Sequence, residues 1–399
     1  MRIVVFSELF YPHGSGAELA TWLYSNLLVE KGFKVTVVTR QFPGETSIET
    51  PINGMKIIRV PMRLAFGSRY DTLINTGTLI SPFIKRLIKE SDVIYIPGSW
   101  YSIIPIAKMY RKRVIIHVHN YSIVCPTSLM YDFINLKVGS SSLRSFMLHE
   151  YIERKRRTLS VVASCFLNEF FGKHFNRLGR LADALIFVSK KQRELVLSRV
   201  PSLRDKSYVI YNPIPSRPFV ETQQNGVGYL GGRSFVKGLH VLMLALRILK
   251  GDGLEVYLTK LSEEPRKYKM SNGISINLLP KINLKDLVGL MSKISIIVIP
   301  SLWPEPLPYT LIESMLYGKL IIASNIGGIP EIVSNSLAGV KLVEPGNYVA
   351  IADALDYFLT FKLEEINEMG IKNREYILKK FNNEESLNRF IKILTKIVT

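Results

Sequence analysis

The chain has 399 residues, 47% of them hydrophobic, enough for two cores or one large one. Its two cysteines, Cys125 and Cys165, with no CxxC, exclude a disulfide framework and a structural zinc site and fit a reducing compartment. The net charge of +19 points to phosphate-bearing or polyanionic partners and is uneven: residues 1–212 hold 30 Lys+Arg against 15 Asp+Glu, a balance of +15, whereas 213–399 hold 22 against 18, a balance of +4.

RIVVF opens the chain as a short apolar strand, too short for a signal peptide and followed at once by Glu8. SELFYPHGSG is a loop, broken by Pro12, Gly14 and Gly16. AELATWLYSNLLVEKG carries apolar residues at helical spacing and stops at Gly32, and KVTVVT is the second strand. This βαβ start predicts a parallel sheet with helices on both faces. DVIYIP (92–97), RVIIHVH (113–119), ALIFVS (184–189) and YVIYNP (208–213) continue the strand pattern. The longest uncharged run, 114–131, has the length of a membrane span. Its histidines, Asn120, serines, Thr127 and Pro126 make it a buried strand followed by a loop. Residues 213–226, PIPSRPFVETQQNG, read as a polar linker. After them the theme restarts with strand GVGYL, glycine loop GGRSFVKG and helix LHVLMLALRILK. Strands EVYLT, SINLLP, ISIIVIP, KLIIAS and GVKLVEP follow, then Lys/Glu-rich helices over 363–399. The chain therefore reads as two α/β halves, with domains expected at 1–212 and 213–380.

Neither glycine loop is a dinucleotide fingerprint. After Gly14 and Gly16 the third glycine position holds Leu19, and the second strand ends in Thr39-Arg40 instead of an acid. In the second loop, Arg233 and Lys237 stand four residues apart among Gly231, Gly232 and Gly238 at a strand–helix junction. An arginine fork and a lysine point charge there suit a diphosphate. The densest signal is SLWPEPLPYTLIESMLYGKLIIASNIGGIPEIV, 301–333, which sets Glu305 and Glu313 eight residues apart. Pro304, Pro306 and Pro308 keep Glu305 on a loop. Pro308 suits the first turn of a helix, and Glu313 lies about five residues in, roughly 7 Å along the axis. The helix-start N–H groups between the two acids, from Tyr309 and Thr310, favour an anion. A ligand with hydroxyls at both ends and phosphate between them fits, and a nucleotide-sugar is such a ligand. His119, next to Asn120, ends a strand where such sheets line their clefts; His117 reads as a core histidine. No GxSxG, HExxH, Cys–His pair or DxD-like metal motif is visible.

The Glu-x7-Glu pair with proline ahead of it, then GKLIIAS and GGIPEIV, resembles the nucleotide-sugar site of retaining glycosyltransferases of family four. That resemblance implies the GT-B architecture, two Rossmann-like domains with parallel sheets facing across a cleft, and a last helix, 381–399, crossing back to the first domain. It implies a hexosyltransferase-type enzyme using a nucleotide diphosphate sugar, with no cofactor and no obligatory metal. Arg233 and Lys237 would hold the diphosphate and stabilise it as it leaves, with Gly232, Pro308, Tyr309 and Thr310 lining the donor. Glu313 would hold the ribose, Glu305 the donor sugar and His119 a sugar hydroxyl, while the Gly14–Gly16 loop closes on the donor. The lack of a nucleophile suits front-face substitution. Three departures stand out: Ser15 between the two glycines, Pro308 where the family has glycine, and LTKLSEEP in place of the usual glycine-rich turn after 255–259.

The basic first half suggests a glycan or lipid-linked acceptor, and a cytoplasmic enzyme peripheral to the inner membrane face. Residues 144–180 mix Arg154, Lys155, Arg156 and Arg157 with Phe146, Met147, Phe166, Phe170 and Phe171, as an interfacial segment needs. The alternative from another class is a basic nucleic-acid-binding protein with an α/β fold; it predicts a module of interleaved basic and aromatic residues, which is not seen.

Overall fold

The computed structural model describes residues 1–50, 54–62, 75–139, 142–156 and 158–398. The chain divides into two units: unit 1 is Met1–Leu129, Ser141–Ile214 and Asn382–Thr399, and unit 2 is Met130–Ser140 and Pro215–Phe381.

In chain order, unit 1 begins with β1 (Arg2–Phe6), β2 (Lys34–Arg40), β3 (Ile48–Glu49), β4 (Lys56–Val60), β5 (Val93–Ile96) and β6 (Arg113–Val118). The stretch assigned to unit 2 is then a hairpin of β7 (Tyr131–Asp132) and β8 (Lys137–Val138), after which β9 (Ala184–Phe187) and β10 (Ser207–Val209) complete unit 1. The sheet runs β10-β9-β6-β5-β1-β2-β4-β3 and is parallel apart from β3 on β4. Its central strands β1, β5, β6 and β9 are mostly apolar and buried, as strands covered on both faces are. Helix α1 (Gly16–Glu30) buries Tyr24 and Leu28 against it. The helix Asn383–Val398 adds Leu387, Phe390, Ile393 and Leu394 to the same core, and the Phe390 ring lies 5.2 Å from those of both Tyr24 and Tyr95.

Helices α2 (Leu143–Ile152) and α3 (Thr158–Gly179) correct the picture of a free basic run. Glu150 is buried and accepts from Arg154 Nε at 3.3 Å and Arg156 Nη1 at 3.2 Å, so two of the four charges are paired with one acid, although Arg154 itself stays exposed. Phe146 is also buried, whereas Met147, Phe166 and Lys155 are exposed. Arg157 and the side chains of Phe170 and Phe171 lie outside the described residues. No described helix is long and apolar enough to cross a membrane, and 114–118 of the uncharged run is strand followed by loop. Helix α4 (Lys190–Leu197) follows β9 in the same unit.

Unit 2 carries β11 (Gly226–Tyr229), β12 (Glu255–Thr259), β13 (Arg266–Lys269), β14 (Ser275–Leu279), β15 (Ile296–Ile299), β16 (Leu320–Ser324) and β17 (Val340–Val343), ordered β13-β14-β12-β11-β15-β16-β17. The pairs are parallel except β13 on β14. β13, RKYK, is an exposed edge strand, and its charges discourage pairing with another chain. Helix α5 (Leu239–Ile248) packs Val241, Leu242, Ala245 and Leu246 into the second core.

The expected linker over 213–226 is largely a packed segment. Val220 and Thr222 are buried, Thr222 N donates to Asn367 Oδ1 at 2.8 Å, and the fully buried Lys319 Nζ donates to Val220 O at 2.8 Å and Thr222 Oγ1 at 2.9 Å. Burial lowers the Lys319 pKa to about 7, against an ordinary value near 10.4. Between those values the unfolded chain binds more protons than the folded one, so this group makes stability rise with pH from about 7 to about 10 and contributes no slope below. The whole effect amounts to about 5 kcal/mol at most. Lys319→Met is therefore expected to gain on the wild type most near pH 7 and least near pH 10. Melting curves of the two proteins that differ by the same amount at both pH values would contradict it.

Candidate donor site and its relatives

The carboxyl end of β11 runs into Gly231 and Gly232. Gly232 is left-handed (φ +71°), and Tyr229 Oη donates to its carbonyl at 3.1 Å. Phe235–Lys237 is a single 3-10 turn closed by Gly238 at φ +76°. A Cβ on Gly238 would lie 1.8 Å from Pro300 O, so only glycine lets this turn press on the end of β15. The approach brings Lys237 Nζ to 2.7 Å from Glu305 Oε2. Phe235 stacks on His240 with ring centres 4.4 Å apart, and Phe133 of the β7–β8 hairpin lies 6.2 Å from Phe235.

Glu305 is only 3% exposed. Ser301 Oγ donates to its Oε1, so both carboxylate oxygens have partners. Its backbone is seated by the GGIP turn: Gly328 N donates to Glu305 O at 2.7 Å, and Gly327, at φ +60°, would place a Cβ 2.5 Å from that oxygen. The glycine pair of GGIPEIV thus holds the first carboxylate. Pro308 is the N-cap of α6 (Tyr309–Leu316), with φ −72° and ψ 115°, so it stands just outside the first turn instead of within it. Glu313 is the fifth residue of α6. Its Oε1 accepts both Arg217 Nε at 2.9 Å and Arg217 Nη2 at 2.6 Å, and among the described residues its Oε2 has no partner. Arg217 is itself anchored, since Arg374 Nη1 donates to its carbonyl at 2.8 Å.

Lys237, Glu305, Pro308 and Thr310 line one pocket with Ser301, and Gly231 forms its wall in place of Gly232. Tyr309 is buried behind it. Arg233 is exposed and donates through Nη2 to Leu261 O at 2.5 Å. Arg217 and Ser301 went unforeseen; Arg217 sits in the segment read as a linker, and four residues between Ser301 and Glu305 was the only available signal.

His119, Gly14 and Gly16 belong to unit 1. His119 follows β6, and its ring stacks on His117 at 4.4 Å. His117 is fully buried and hydrogen-bonded through Nδ1 to Tyr95 Oη at 2.8 Å, a core histidine. His119 is half-buried overall, but its Nε2 is shielded from solvent and has no partner among the described residues. Burial holds its pKa down to about 3, so the ring is neutral near pH 7. Gln192 of α4 fixes the strand end, donating to Val118 O at 2.8 Å and Asn120 O at 3.3 Å. Gly14 is left-handed (φ +95°), Gly16 starts α1, and Glu18 Oε2 accepts from Ser15 N at 2.6 Å, so the helix start is capped by its own carboxylate. Among the described residues no group of three or more His, Cys, Asp or Glu is placed to hold a metal ion.

Residues 14–217 match the family described as Glycosyltransferase Family 4, and residues 214–376 match Glycosyl transferases group 1. A protein of the Klebsiella pneumoniae cps region, described as an uncharacterized 42.6 kDa protein, is 23% identical over 360 residues, 86% of this chain and 90% of its own. The GPI3 component of the phosphatidylinositol N-acetylglucosaminyltransferase of Saccharomyces cerevisiae is 21% identical over 84% of this chain and 70% of its own. Sucrose-phosphate synthase from Thermosynechococcus elongatus superposes with a TM-score of 0.71 at 17% identity, over 99% of this chain and 98% of that one. Anabaena Alr3699/HepE, solved in complex with UDP and glucose, superposes with a TM-score of 0.66 at 15% identity, over 99% of each chain. The two sheets and the helix Asn383–Val398 returning to the first core are the GT-B fold, and with residues 14–217 matched, just over half of its length, the chain belongs to the family-four glycosyltransferases.

Proposed function

We propose that the protein is a retaining glycosyltransferase that moves a sugar from a nucleotide diphosphate to a glycan or lipid-linked acceptor. The observation that carries this reading is the pair of carboxylates on either side of the α6 start, each held by a cation: Glu305 by Lys237 at 2.7 Å and Glu313 by Arg217 at 2.6 Å. Glu313 offers its open Oε2 to ribose hydroxyls. Arg233, Lys237 and the helix-start N–H groups take the diphosphate. Glu305 fixes the donor sugar.

Glu305 already accepts on both oxygens, which suits a positioning group better than a nucleophile. In the front-face reaction the acceptor oxygen bonds to the anomeric carbon on the side from which the phosphate leaves. The bond from that carbon to the phosphate oxygen breaks, and the acceptor proton passes to the departing diphosphate. Negative charge grows on that diphosphate, where Arg233 and Lys237 stabilise it. Relatives solved with UDP and glucose support this donor class. A panel of nucleotide-sugars read by thermal shift tests it, since a bound donor raises the melting temperature by mass action. No stabilisation by any nucleotide-sugar or nucleoside diphosphate would reject it. Nothing among the described residues favours the nucleic-acid-binding alternative.

For the acceptor side, α2 exposes Leu143, Met147 and Tyr151 at four-residue steps, and α3 exposes Leu159, Val162 and Phe166. With Arg144 and Lys155 also exposed, these helices suit an anionic membrane carrying a lipid-linked acceptor. Co-sedimentation is expected with anionic and not with neutral vesicles at low salt, and weaker as salt rises. Binding to neither removes the docking reading.

A further inference from the structure

Resting on the donor reading of unit 2, we propose that Lys260 is a third cation for the donor diphosphate, supplied by the junction after β12. Lys260 directly follows β12, at the carboxyl edge of the sheet where ligands of such folds bind. Its backbone is left-handed, φ +62°, a conformation that glycine adopts freely and lysine does not. Two bonds hold it there: Lys260 N donates to Pro280 O at 3.3 Å, and Leu261 N to Leu279 O at 3.2 Å. The neighbouring Leu261 carbonyl is the acceptor of Arg233. A Cβ on Gly232 would lie 3.4 Å from Lys260 Cβ, so the lysine side chain starts beside the glycine loop that carries Arg233 and Lys237.

The charges around it are unbalanced. Among the described residues no carboxylate comes within ion-pair distance of Lys260 Nζ. The residue is open to solvent yet walled by protein, and that surrounding together with the like charges of Lys281 and Lys237 lowers its pKa, with Glu313 the opposing influence. Glu313 is already bonded to Arg217, and Glu305 to Lys237. Among the described residues Lys260, Arg233 and Lys281 have no acid, so positive charge is in excess here and a diphosphate would offset it. A lysine held in a disfavoured backbone conformation, facing other lysines and bonded through its amine to nothing among the described residues, contributes little to holding the fold. An anion between Lys237, Arg233 and Lys260 gains from all three. Strained backbone at a strand end is common where ligands bind.

The test separates backbone from charge. Lys260→Gly removes the side chain and relieves the left-handed position, so its melting temperature is expected to equal or exceed the wild type. Lys260→Gln keeps the backbone demand and removes only the charge. Calorimetry with inorganic pyrophosphate, and with the nucleoside diphosphate that gives the largest thermal shift, is expected to show about a tenfold loss of affinity for both variants and a loss within about threefold for Lys260→Arg. Wild-type affinity in Lys260→Gly and Lys260→Gln, alongside a loss in Arg233→Ala, overturns the role of Lys260 and leaves the donor reading intact. Wild-type affinity in all of them, Arg233→Ala included, overturns both.

Discussion

Glu305→Gln is expected to lower sugar transfer by about 10²–10³-fold, the range for losing one preorganised group at a reacting centre. Affinity for the sugar-free nucleoside diphosphate should stay within about threefold of the wild type, because Glu305 would act on the sugar and not on the nucleotide. Glutamine preserves volume, and its amide oxygen can accept from Lys237 while its amide N–H donates to Ser301 Oγ, so the buried loop around residue 305 is kept. Glu313→Ala should behave in the opposite way. It removes the acid proposed to bond the ribose through Oε2, and a charge-assisted hydrogen bond is worth roughly 1.5–3 kcal/mol, so sugar-free nucleoside diphosphate should bind about tenfold or more weakly. Arg217 loses its carboxylate in that variant but keeps the Ser216 carbonyl at 3.0 Å. Calorimetry and turnover on the two variants decide the assignment; the reverse pattern refutes it.

Arg233→Ala and Lys237→Ala should each weaken nucleoside diphosphate binding by about tenfold or more, for the same charge-assisted contacts. They should differ in stability. Arg233 is exposed and bonded only to a carbonyl, so its loss leaves the melting temperature unchanged. Lys237 neutralises a carboxylate that is 3% exposed, and removing one member of a buried pair costs roughly 3–5 kcal/mol, less here because the Lys237 side chain is 30% exposed. Lys237→Ala is therefore expected to melt earlier, and Lys237→Met with Glu305→Gln to regain most of the difference. Wild-type affinity in both single variants would remove Arg233 and Lys237 from the donor site, whatever their melting temperatures.

The fold class was legible because strands buried on both faces must be apolar throughout, and RVIIHV, ALIF, IIVI and LIIAS are continuous Val/Ile/Leu-rich runs between helical periods. The placement of Glu305 on a loop and Glu313 within a helix also followed from local rules, since proline acts on its own neighbours. What escaped were the groups whose partners are distant. Arg217 meets Glu313 across 96 residues, and no local pattern marks an arginine for that encounter. The polar, proline-bearing 213–226 resembled a linker because extended segments satisfied by side chains elsewhere, here Lys319 and Asn367, look the same in sequence as unpaired ones. The run RKRR looked like unpaired surface charge because no local pattern shows that one buried glutamate, Glu150, pairs with two of its members and draws Arg156 inward. Pro308 was one position off, a normal uncertainty at a helix end.

The helix Asn383–Val398 has a consequence for how the chain comes to be folded at all. A ribosome adds about 5–20 residues per second, and domains usually fold in the order in which they emerge. Unit 1 cannot follow that order. Leu387, Phe390, Ile393 and Leu394 belong to its core, so the first 214 residues wait with an apolar face uncovered until residues 382–399 have been made, by which time everything unit 2 requires is already available. The half that starts first is finished last. A single cut between the units would therefore not release two independent halves, because unit 1 is built from three stretches of chain, 1–129, 141–214 and 382–399, and unit 2 from two.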